Sequence, residues 1–232
     1  MELKTIAHIH TDFPQKFGLP RQSGLIEALT GYIIFEKEYR DPEAVRGIDG
    51  YDYLWLLWGF DVGEDEGFRP TVRPPRLGGN ERMGVFATRS PFRPNHIGLS
   101  SVHLESVEIS RESGPVLYVS GIDMRDNTPI YDIKPYLSYT DSHEGVRGGF
   151  TDEISYPELE VNIPDNLLNL IPQKKRQGAM EVLRSDIRPS YHGSRPEAGE
   201  YGLSYAGYNI RFKVDGDKLT VYEVSKDICL KP

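Results

Sequence analysis

The stretch Tyr53–Phe60 reads YLWLLWGF and is the strongest strand signal in the chain. It is apolar at both alternating sets of positions, which predicts a central strand buried on both faces. The run is far shorter than the roughly 18 apolar residues that a membrane-spanning helix needs. The fold should therefore be built around a β-strand at this point of a folded domain, and no membrane partner is expected.

Further strand candidates lie on both sides of this stretch, and turn-forming residues separate them. They are Leu3–Ile9, Gly31–Glu38, Gly84–Thr88, Leu99–Ile109, Val116–Ile122 and Pro129–Ile133. No helical periodicity comes between them, which favours an all-β barrel or sandwich over a sheet of alternating strands and helices. One short helix is predicted over Asp41–Val45, with Asp41 as the N-cap and Pro42 as the first helical residue.

The composition changes around Asp141–Ser155, which is polar, contains glycine and is typical of a linker. Beyond it, helical spacing runs over Asp165–Asp186, and Pro172 should split this segment into a short and a longer helix. We therefore predict a mainly β protein: a small antiparallel β-barrel of residues 1–150 and an α+β C-terminal extension of residues 151–232.

The extension also carries a hairpin signal. Tyr208–Val214 alternates strictly between apolar and polar residues, as a strand with one buried face does. Asp215 and Gly216 then form a turn dipeptide that leads into a second strand, Leu219–Val224.

Several classes of protein are excluded by what the 232 residues lack. Cys229 is the single cysteine, so the chain has neither an internal disulfide nor a multi-cysteine zinc site. No G-x-G-x-x-G or Walker A sequence is present, which argues against a Rossmann or P-loop nucleotide site. His8 and His10 are interpreted as half-buried strand residues, and no metal is expected. The first residues lack the apolar core of a signal peptide, so we expect a cytoplasmic protein.

The positive charge is concentrated in one block of an otherwise acidic chain. Arg69–Arg93 holds six arginines and one glutamate, whereas the whole chain has a net charge of −8. A guanidinium can grip a phosphate or carboxylate with two parallel hydrogen bonds. Prolines in the block restrict the backbone, so little conformational entropy would be lost on binding an anion. The block therefore favours an anion site, with salt bridges to neighbouring acids as the alternative.

Two further stretches display polar groups at predicted strand ends. Gly84–Ser100, GVFATRSPFRPNHIGLS, is a proline-framed loop between two strands, where binding residues are common. In the second, DMRDNTPIYDIKPY, a turn is followed by Asp132, Lys134 and Tyr136 at alternate positions. These three side chains should share one strand face, which is either a solvated outer surface or part of a site.

These stretches resemble the TsaA-like family of tRNA methyltransferases, which methylate N6-threonylcarbamoyladenosine beside the anticodon. The similarity follows the family's order and spacing over essentially the whole chain. It rests on PRQSG (20–24), AVRGID (44–49), RPTVRPPRLGG (69–79), GVFATRSPFRPN (84–95), IGLS (97–100), TPIYDIKPY (128–136) and DIRPSYH (186–192).

The resemblance implies a β-barrel enzyme that uses S-adenosylmethionine without a Rossmann domain, acts on the anticodon arm of tRNA and forms a homodimer. It also implies which residues contact the cofactor. They are Pro20, Arg21, Gln22, Asp61, Val62, Arg89, Leu99, Asp126, Asn127, Thr128 and Pro129.

This sequence departs from the family pattern at three positions. His96 stands where proline is usual, so the loop loses one rigid link. Asn127 stands where glycine is usual, and asparagine is among the residues that best tolerate a positive φ. Asp61 stands where histidine is expected, which would alter a side-chain contact but not a backbone contact.

The chemistry of methyl transfer suggests further roles. Asp132 or Asn95 would accept or orient the proton of the acceptor nitrogen, while Lys134 and Tyr136 would hold the threonyl carboxylate or the base. The phosphates of the anticodon arm would be bound by arginines of the block, namely Arg69, Arg73, Arg76 and Arg93.

Two other functions stay open at this point. A non-catalytic barrel that binds RNA or another anion would explain the arginines equally well. A protein-interaction module would instead use the helix predicted over Gln173–Asp186, whose first residues Lys174, Lys175 and Arg176 are basic.

Overall fold

The architecture was analysed in a computed structural model of the 232-residue chain. The structure describes residues 2–61, 67–74, 81–153, 158–188 and 199–227.

The N-terminal part is a closed barrel of six strands, and every pair of neighbouring strands is antiparallel. The strands are β1 (Ala7–Thr11), β2 (Thr30–Phe35), β3 (Tyr53–Gly59), β6 (Ile97–Ser110), β7 (Gly114–Ser120) and β8 (Thr128–Pro135). The order around the barrel is β1-β2-β7-β6-β3-β8, and β8 pairs back with β1. A small hairpin of β4 (Thr71–Val72) and β5 (Met83–Gly84) lies outside the barrel. The barrel alternative is thus confirmed over the sandwich.

Strand β3 has one buried face, so the prediction that both of its faces are buried is wrong. Leu54, Leu56 and Trp58 point into the barrel, whereas Tyr53 and Trp55 lie on the partly exposed outer surface. Leu57 shares this outer face, and an outer barrel surface accommodates these apolar residues because one sheet face remains near solvent.

A β-bulge interrupts the pairing of β8 with β3. Leu57 lies opposite Asp132, while the next residue, Trp58, lies opposite Ile130, so Tyr131 is the extra residue. A bulge shifts the alternation of side chains by one position. Ile130 is therefore fully buried, and Asp132 is left on the outer surface of the barrel.

The loops of the barrel agree in part with the sequence patterns. Asp41 caps the short helix Pro42–Val45 by accepting a hydrogen bond from the backbone of Glu43 at 3.0 Å, as predicted. The strand predicted over Gly84–Thr88 is wrong, because β5 ends at Gly84 and a 3₁₀ turn follows at Val85–Ala87.

The C-terminal part is a four-stranded sheet with two helices. Its strands have the order β10-β11-β12-β9, and only the last pair is parallel. They are β9 (Glu160–Asn162), β10 (Gly199–Tyr205), β11 (Tyr208–Asp215) and β12 (Lys218–Lys226). A short helix α1 (Ser138–Asp141) precedes them, and α2 (Asp165–Leu168) and α3 (Gln173–Arg184) flank Pro172 as predicted. The β11–β12 hairpin is likewise confirmed.

The two parts share one hydrophobic core. Phe13 of the barrel packs against Tyr205 of β10, with ring centroids 5.1 Å apart, and both side chains are fully buried. Lys175 Nζ of α3 lies 2.5 Å from the carboxylate of Asp12, and the backbone of Ala206 donates to the Asp12 carbonyl at 2.9 Å. The C-terminal sheet therefore supports the long loop that connects β1 to β2.

Candidate functional site

The candidate site lies at one end of the barrel, where β1, β3 and β7 end and their partners begin. Three loops meet there: residues 12–29, the described parts of the β3–β6 loop (60–61, 67–74 and 81–96) and residues 121–127. Antiparallel strands bring these loops together even though they are distant in sequence. Most of the cofactor residues implied by the family resemblance are on these loops. The others are among the first residues of β6 and β8.

The segment Pro20–Gly24 is fastened to this end of the barrel from several sides. Gln22 accepts a hydrogen bond from the guanidinium of Arg89, which joins two of the three loops. The Ser23 hydroxyl accepts from the backbone N–H of Ser101 at 3.1 Å, and Gly24 donates to the Gly121 carbonyl at 2.8 Å. Pro20 is buried.

Arg21 points toward the C-terminal part. Burial lowers the pKa of its guanidinium, and the negative charge of Asp186 opposes that effect. Asp186 itself pairs with Arg188, with Nε 2.7 Å from Oδ1. Arg21 therefore places a positive charge where the segment Pro20–Gly24 meets the C-terminal extension.

The turn before β8 is held by its own polar groups. Asn127 adopts a φ of +61°, as its asparagine identity allows. The carboxylate of Asp126 accepts the Thr11 backbone N–H at 3.0 Å and lies 3.2 Å from Nδ1 of His10. Thr128 and Pro129 begin β8 and pair with β1. The side chain of Asp126 thus connects this turn to β1, next to the β1–β8 pairing that closes the barrel.

Asp61 lies beside this turn. Its carboxylate is 2.9 Å from Nη2 of Arg125, and its carbonyl accepts from Lys16 Nζ at 2.5 Å. A histidine at this position would not form the same ion pair, so the departure from the family pattern has a local partner in Arg125. Val62 lies outside the described residues.

Asp123 belongs to the site and was missed by the sequence reasoning. Ser100 donates to its carboxylate at 2.7 Å, and Trp58 donates to Ser100 at 2.9 Å. Burial raises the pKa of Asp123 to about 6, although hydrogen bonds from Ser100 and from the Ser23 backbone and the charge of Arg89 act in the opposite direction. The available sequence signal was a carboxylate between two apolar residues at the end of a strand.

The outer surface of the barrel carries a row of predicted residues. Leu99 of β6 and Asp132 of β8 lie on either side of Leu57, and the Leu99 side chain is 50% exposed. Lys134 Nζ is 2.9 Å from the Asp132 carboxylate, and the Tyr136 ring lies 5.6 Å from that of Trp55. Asp132, Lys134 and Tyr136 therefore share the outward face.

Asn95 is exposed in the loop that leads into β6. The next residue, His96, has a φ of +47°, which a proline ring cannot adopt. The proline that is usual in the family at this position would therefore require a different path for the loop.

The arginines of the block do not pair with acids in the described part of the chain. Arg69 stacks on Phe92 with its guanidinium carbon 4.1 Å from the ring centroid, and Arg93 donates to the carbonyls of Val85 and Thr88 at 3.1 and 2.7 Å. Arg73 is exposed. Arg76 lies outside the described residues.

Neither a metal cluster nor a membrane helix was found within the residues that the structure describes. No group of three or more histidine, cysteine or acidic side chains is gathered there. His8 and His10 each face a carboxylate, Glu36 at 2.9 Å and Asp126 at 3.2 Å. No helix in the described ranges has the length and apolar character to cross a membrane.

The fold and the site define a closed antiparallel barrel with cationic and hydrogen-bonding loops at one end and an α+β extension that braces them. Family models identify the group more closely. The tRNA-methyltransferase O N-terminal domain matches residues 8–142, and the TrmO C-terminal domain matches residues 157–227. The chain belongs to the tRNA-methyltransferase O family.

Individual relatives are similar over nearly the whole length. The tRNA (adenine(37)-N6)-methyltransferase of Escherichia coli is 36% identical, with 92% of this chain and 93% of that protein covered. A putative S-adenosylmethionine-dependent methyltransferase of Pseudomonas aeruginosa is 38% identical, with 85% and 86% covered. The crystal structure of TrmO from Pseudomonas aeruginosa superposes with a TM-score of 0.76 at 29% identity, covering 97% and 98%.

Proposed function

We propose that this protein is an S-adenosylmethionine-dependent tRNA methyltransferase that methylates N6 of N6-threonylcarbamoyladenosine next to the anticodon. The observation that carries the proposal is the meeting of Pro20–Gly24, Arg89 and the Asp126–Pro129 turn at one barrel end, in a chain of this family.

The residues at this end suit the cofactor chemically. Arg21 and Arg89 offer guanidinium groups to a carboxylate, and the half-exposed Leu99 offers apolar surface to a purine ring. Pro20–Gln22, Asp61, Val62 and the Asp126–Pro129 turn would complete the pocket.

S-adenosylmethionine would supply a methyl group bound to a positively charged sulfur. Pro20–Gly24, Arg89 and the Asp126–Pro129 turn would hold it, and the chain would align the acceptor N6 for transfer of that methyl group. Asp132 would accept the N6 proton. Its carboxylate also accepts the backbone N–H of Ile133 at 3.0 Å, which fixes the orientation of one oxygen. Asn95 would orient the N6–H group, and Lys134 and Tyr136 would hold the threonyl carboxylate or the base. Since Tyr136 pairs with Tyr53 at the start of β3, the substrate would have to extend along the outer face of β8, away from the three loops.

The arginine block would bind the anticodon arm through Arg69, Arg73, Arg76 and Arg93. Phosphate neutralisation by arginine makes RNA affinity fall with salt. The lack of carboxylate partners for the described arginines of the block supports this assignment over the salt-bridge alternative.

The test is mass spectrometry of tRNA incubated with the protein and isotope-labelled S-adenosylmethionine. The expected product is threonylcarbamoyladenosine one labelled methyl group heavier. If the protein binds the cofactor but no tRNA becomes labelled, the result would support a non-catalytic barrel that binds S-adenosylmethionine. Absence of cofactor binding by calorimetry, with retained RNA affinity, would leave that alternative as the function.

A second experiment addresses the proton acceptor. Asp132→Asn should lower the single-turnover methylation rate at saturating cofactor by about 100-fold, because general-base catalysis contributes roughly 10²–10⁴-fold. Asp217→Asn, at an exposed carboxylate of the C-terminal hairpin turn, is the matched control. An unchanged rate in the first variant removes Asp132 from the mechanism.

The domain assignment and the assembly follow from the same proposal. Residues 1–150 would carry cofactor binding and chemistry, with residues 151–232 as the extension, and the enzyme would act in the cytoplasm as a homodimer. Light scattering at micromolar concentration tests the dimer. The interaction-module alternative predicts wild-type methylation after deletion of 155–232, whereas loss of the Phe13–Tyr205 contact should destabilise the barrel itself.

A further inference from the structure

The carboxylate of Asp123 joins four segments of the chain. It accepts from Ser100 in β6 at 2.7 Å and from the backbone of Ser23 in the loop, and Trp58 of β3 is connected through Ser100. Its own segment begins immediately after β7, whose continuation at Gly121 pairs with Gly24. No other described carboxylate connects these elements to one another.

The direction of the hydrogen bonds in this chain is fixed by chemistry. The indole nitrogen of Trp58 can only donate, so the Ser100 oxygen accepts from it and the single hydroxyl hydrogen of Ser100 must go to Asp123. The Ser23 backbone also donates. Both groups that face Asp123 are therefore donors, and they fit the ionised carboxylate better than the protonated acid.

Close packing holds Trp58 in the orientation that this chain requires. A Cβ atom at Gly98 would overlap the indole ring, so the absence of a side chain there lets Trp58 lie flat against the start of β6. Gly98 is followed by Leu99 and Ser100, so the same strand start bears the exposed Leu99 and the buried donor to Asp123.

We propose that Asp123 is a positioning residue that holds the segment Pro20–Gly24 against the start of β6, in the conformation that binds S-adenosylmethionine. The identity of the ligand rests on the function proposed above. Asp123 lies three residues before Asp126 and acts through Ser23 and Ser100, so it is not assigned a direct role in methyl transfer.

The charged groups around Asp123 do not make it a switch that releases the loop in acid. Arg89 on the β3–β6 loop favours the ionised form, while Arg125 is engaged by Asp61 and Asp126 by His10 and Thr11. Burial still raises the pKa of Asp123 to about 6, so proton uptake favours the buried arrangement that the structure shows. The hydrogen bonds from Ser100 and Ser23 are therefore the basis of the proposed role.

Burial of this carboxyl also affects the stability of the fold. A carboxyl whose pKa is higher in the folded than in the unfolded protein contributes stability at low pH, and this is lost as the pH rises through 6. Asp123→Asn should therefore leave the melting temperature at pH 8 unchanged or slightly higher. Thermal unfolding at pH 8 then shows whether a loss of cofactor affinity comes from a general loss of stability.

The experiment is calorimetric titration of S-adenosylmethionine into the wild type, Asp123→Asn and the control Asp217→Asn at pH 8. Asp123→Asn should bind about tenfold more weakly and keep kcat within twofold at saturating cofactor. Wild-type affinity in Asp123→Asn would overturn the proposal.

A second variant and a second readout keep the outcome decisive. Ser100→Ala removes a donor to the carboxylate, so it should also weaken the binding of S-adenosylmethionine, and an unchanged affinity contradicts the proposal. Hydrogen exchange at the amides of Ser23 and Gly24 should become faster in Asp123→Asn without any ligand. If the wild type binds no S-adenosylmethionine, the proposed function fails, while unchanged exchange would refute the role of Asp123 separately.

Discussion

Two basic runs of this chain, which look alike in sequence, meet different environments in the structure. In Lys174–Arg176, Lys175 pairs with Asp12 at 2.5 Å and Arg176 donates to the carbonyls of Ile171 and Asn169 at 2.9 and 3.3 Å. In Arg69–Arg93, Arg69, Arg89 and Arg93 contact aromatic rings, an amide and carbonyl groups, and none of the described arginines pairs with a described carboxylate. One run is consumed by the fold, and the other keeps its charge available.

The difference shows that the number of cations does not identify an anion site, whereas their partners do. Lys175 and Arg176 stabilise the contact of α3 with the barrel and the end of α2, which argues against a partner-binding helix. An arginine that binds a ring or a carbonyl retains its full positive charge, so the loop can attract phosphate.

The largest effect is expected on tRNA binding when arginines of the Arg69–Arg93 block are removed. Arg69→Ala with Arg73→Ala should weaken tRNA binding about 100-fold and reduce the slope of log K against log salt by roughly 1.4 to 1.8, for two lost phosphate contacts. Filter binding over a salt series measures both. The matched control is Lys37→Ala with Lys174→Ala, two exposed lysines away from the loop. An equal loss in the control would contradict the assignment.

A substitution in the other basic run should instead affect stability, because Lys175 contacts Asp12 where α3 meets the barrel. Lys175→Met leaves Asp12 unpaired with a side chain only 19% exposed, so the free energy of unfolding should fall by about 2 kcal/mol, below the 3–5 of a fully buried pair. The salt slope of tRNA binding should not change. Urea denaturation and the same salt series test this, with the exposed Lys174→Met as control. A reduced salt slope would show that Lys175 also contacts RNA.

A smaller effect is expected where α3 meets β10. An added Cβ at Gly178 would lie 2.5 Å from the Tyr205 hydroxyl and 3.0 Å from Leu29. The steric cost of roughly 1–3 kcal/mol exceeds the helix propensity that alanine gains over glycine, so Gly178→Ala should lower unfolding stability by about 1 kcal/mol. Gly50→Ala, with open space around it, is the control for urea denaturation. A stabilised Gly178→Ala would mean that the interface yields readily.

The smallest effect is expected from a substitution that separates the charge of Arg93 from its hydrogen bonds. Arg93→Lys keeps the positive charge but loses the planar group that donates to Val85 and Thr88. tRNA affinity should fall about threefold with an unchanged salt slope, as measured in the same filter-binding series. Wild-type affinity would show that the charge alone matters at this position.

Local sequence signals predicted those parts of the fold that depend on neighbouring residues. Pro172 lies between two helices and is the N-cap of the second, and the strict alternation of Tyr208–Val214 gives the hairpin. Strand β10 was missed, because its glycines weaken the pattern of Gly199–Tyr205, and the parallel partner β9 has only three residues.

Long-range features were not predictable in the same way. The bulge at Tyr131 depends on pairing with β3, more than seventy residues earlier, and it decides which face Asp132 occupies. The role of Asp123 depends on Ser23, Ser100 and Trp58, which the barrel brings together. A single sequence shows each of these residues but not their contacts. The residues taken from the family resemblance could be named from the sequence, because a motif identifies residues by their order in the chain and needs no knowledge of their contacts.

The shared core around Phe13 and Tyr205 has a consequence for how the chain responds to a protease. Residues 142–149 are exposed, so the peptide bonds between the two parts are open to cleavage. Because the contact of Lys175 with Asp12 and the packed aromatic rings do not depend on chain continuity, the two fragments of a nicked molecule should remain associated and elute as one species until denaturant separates them.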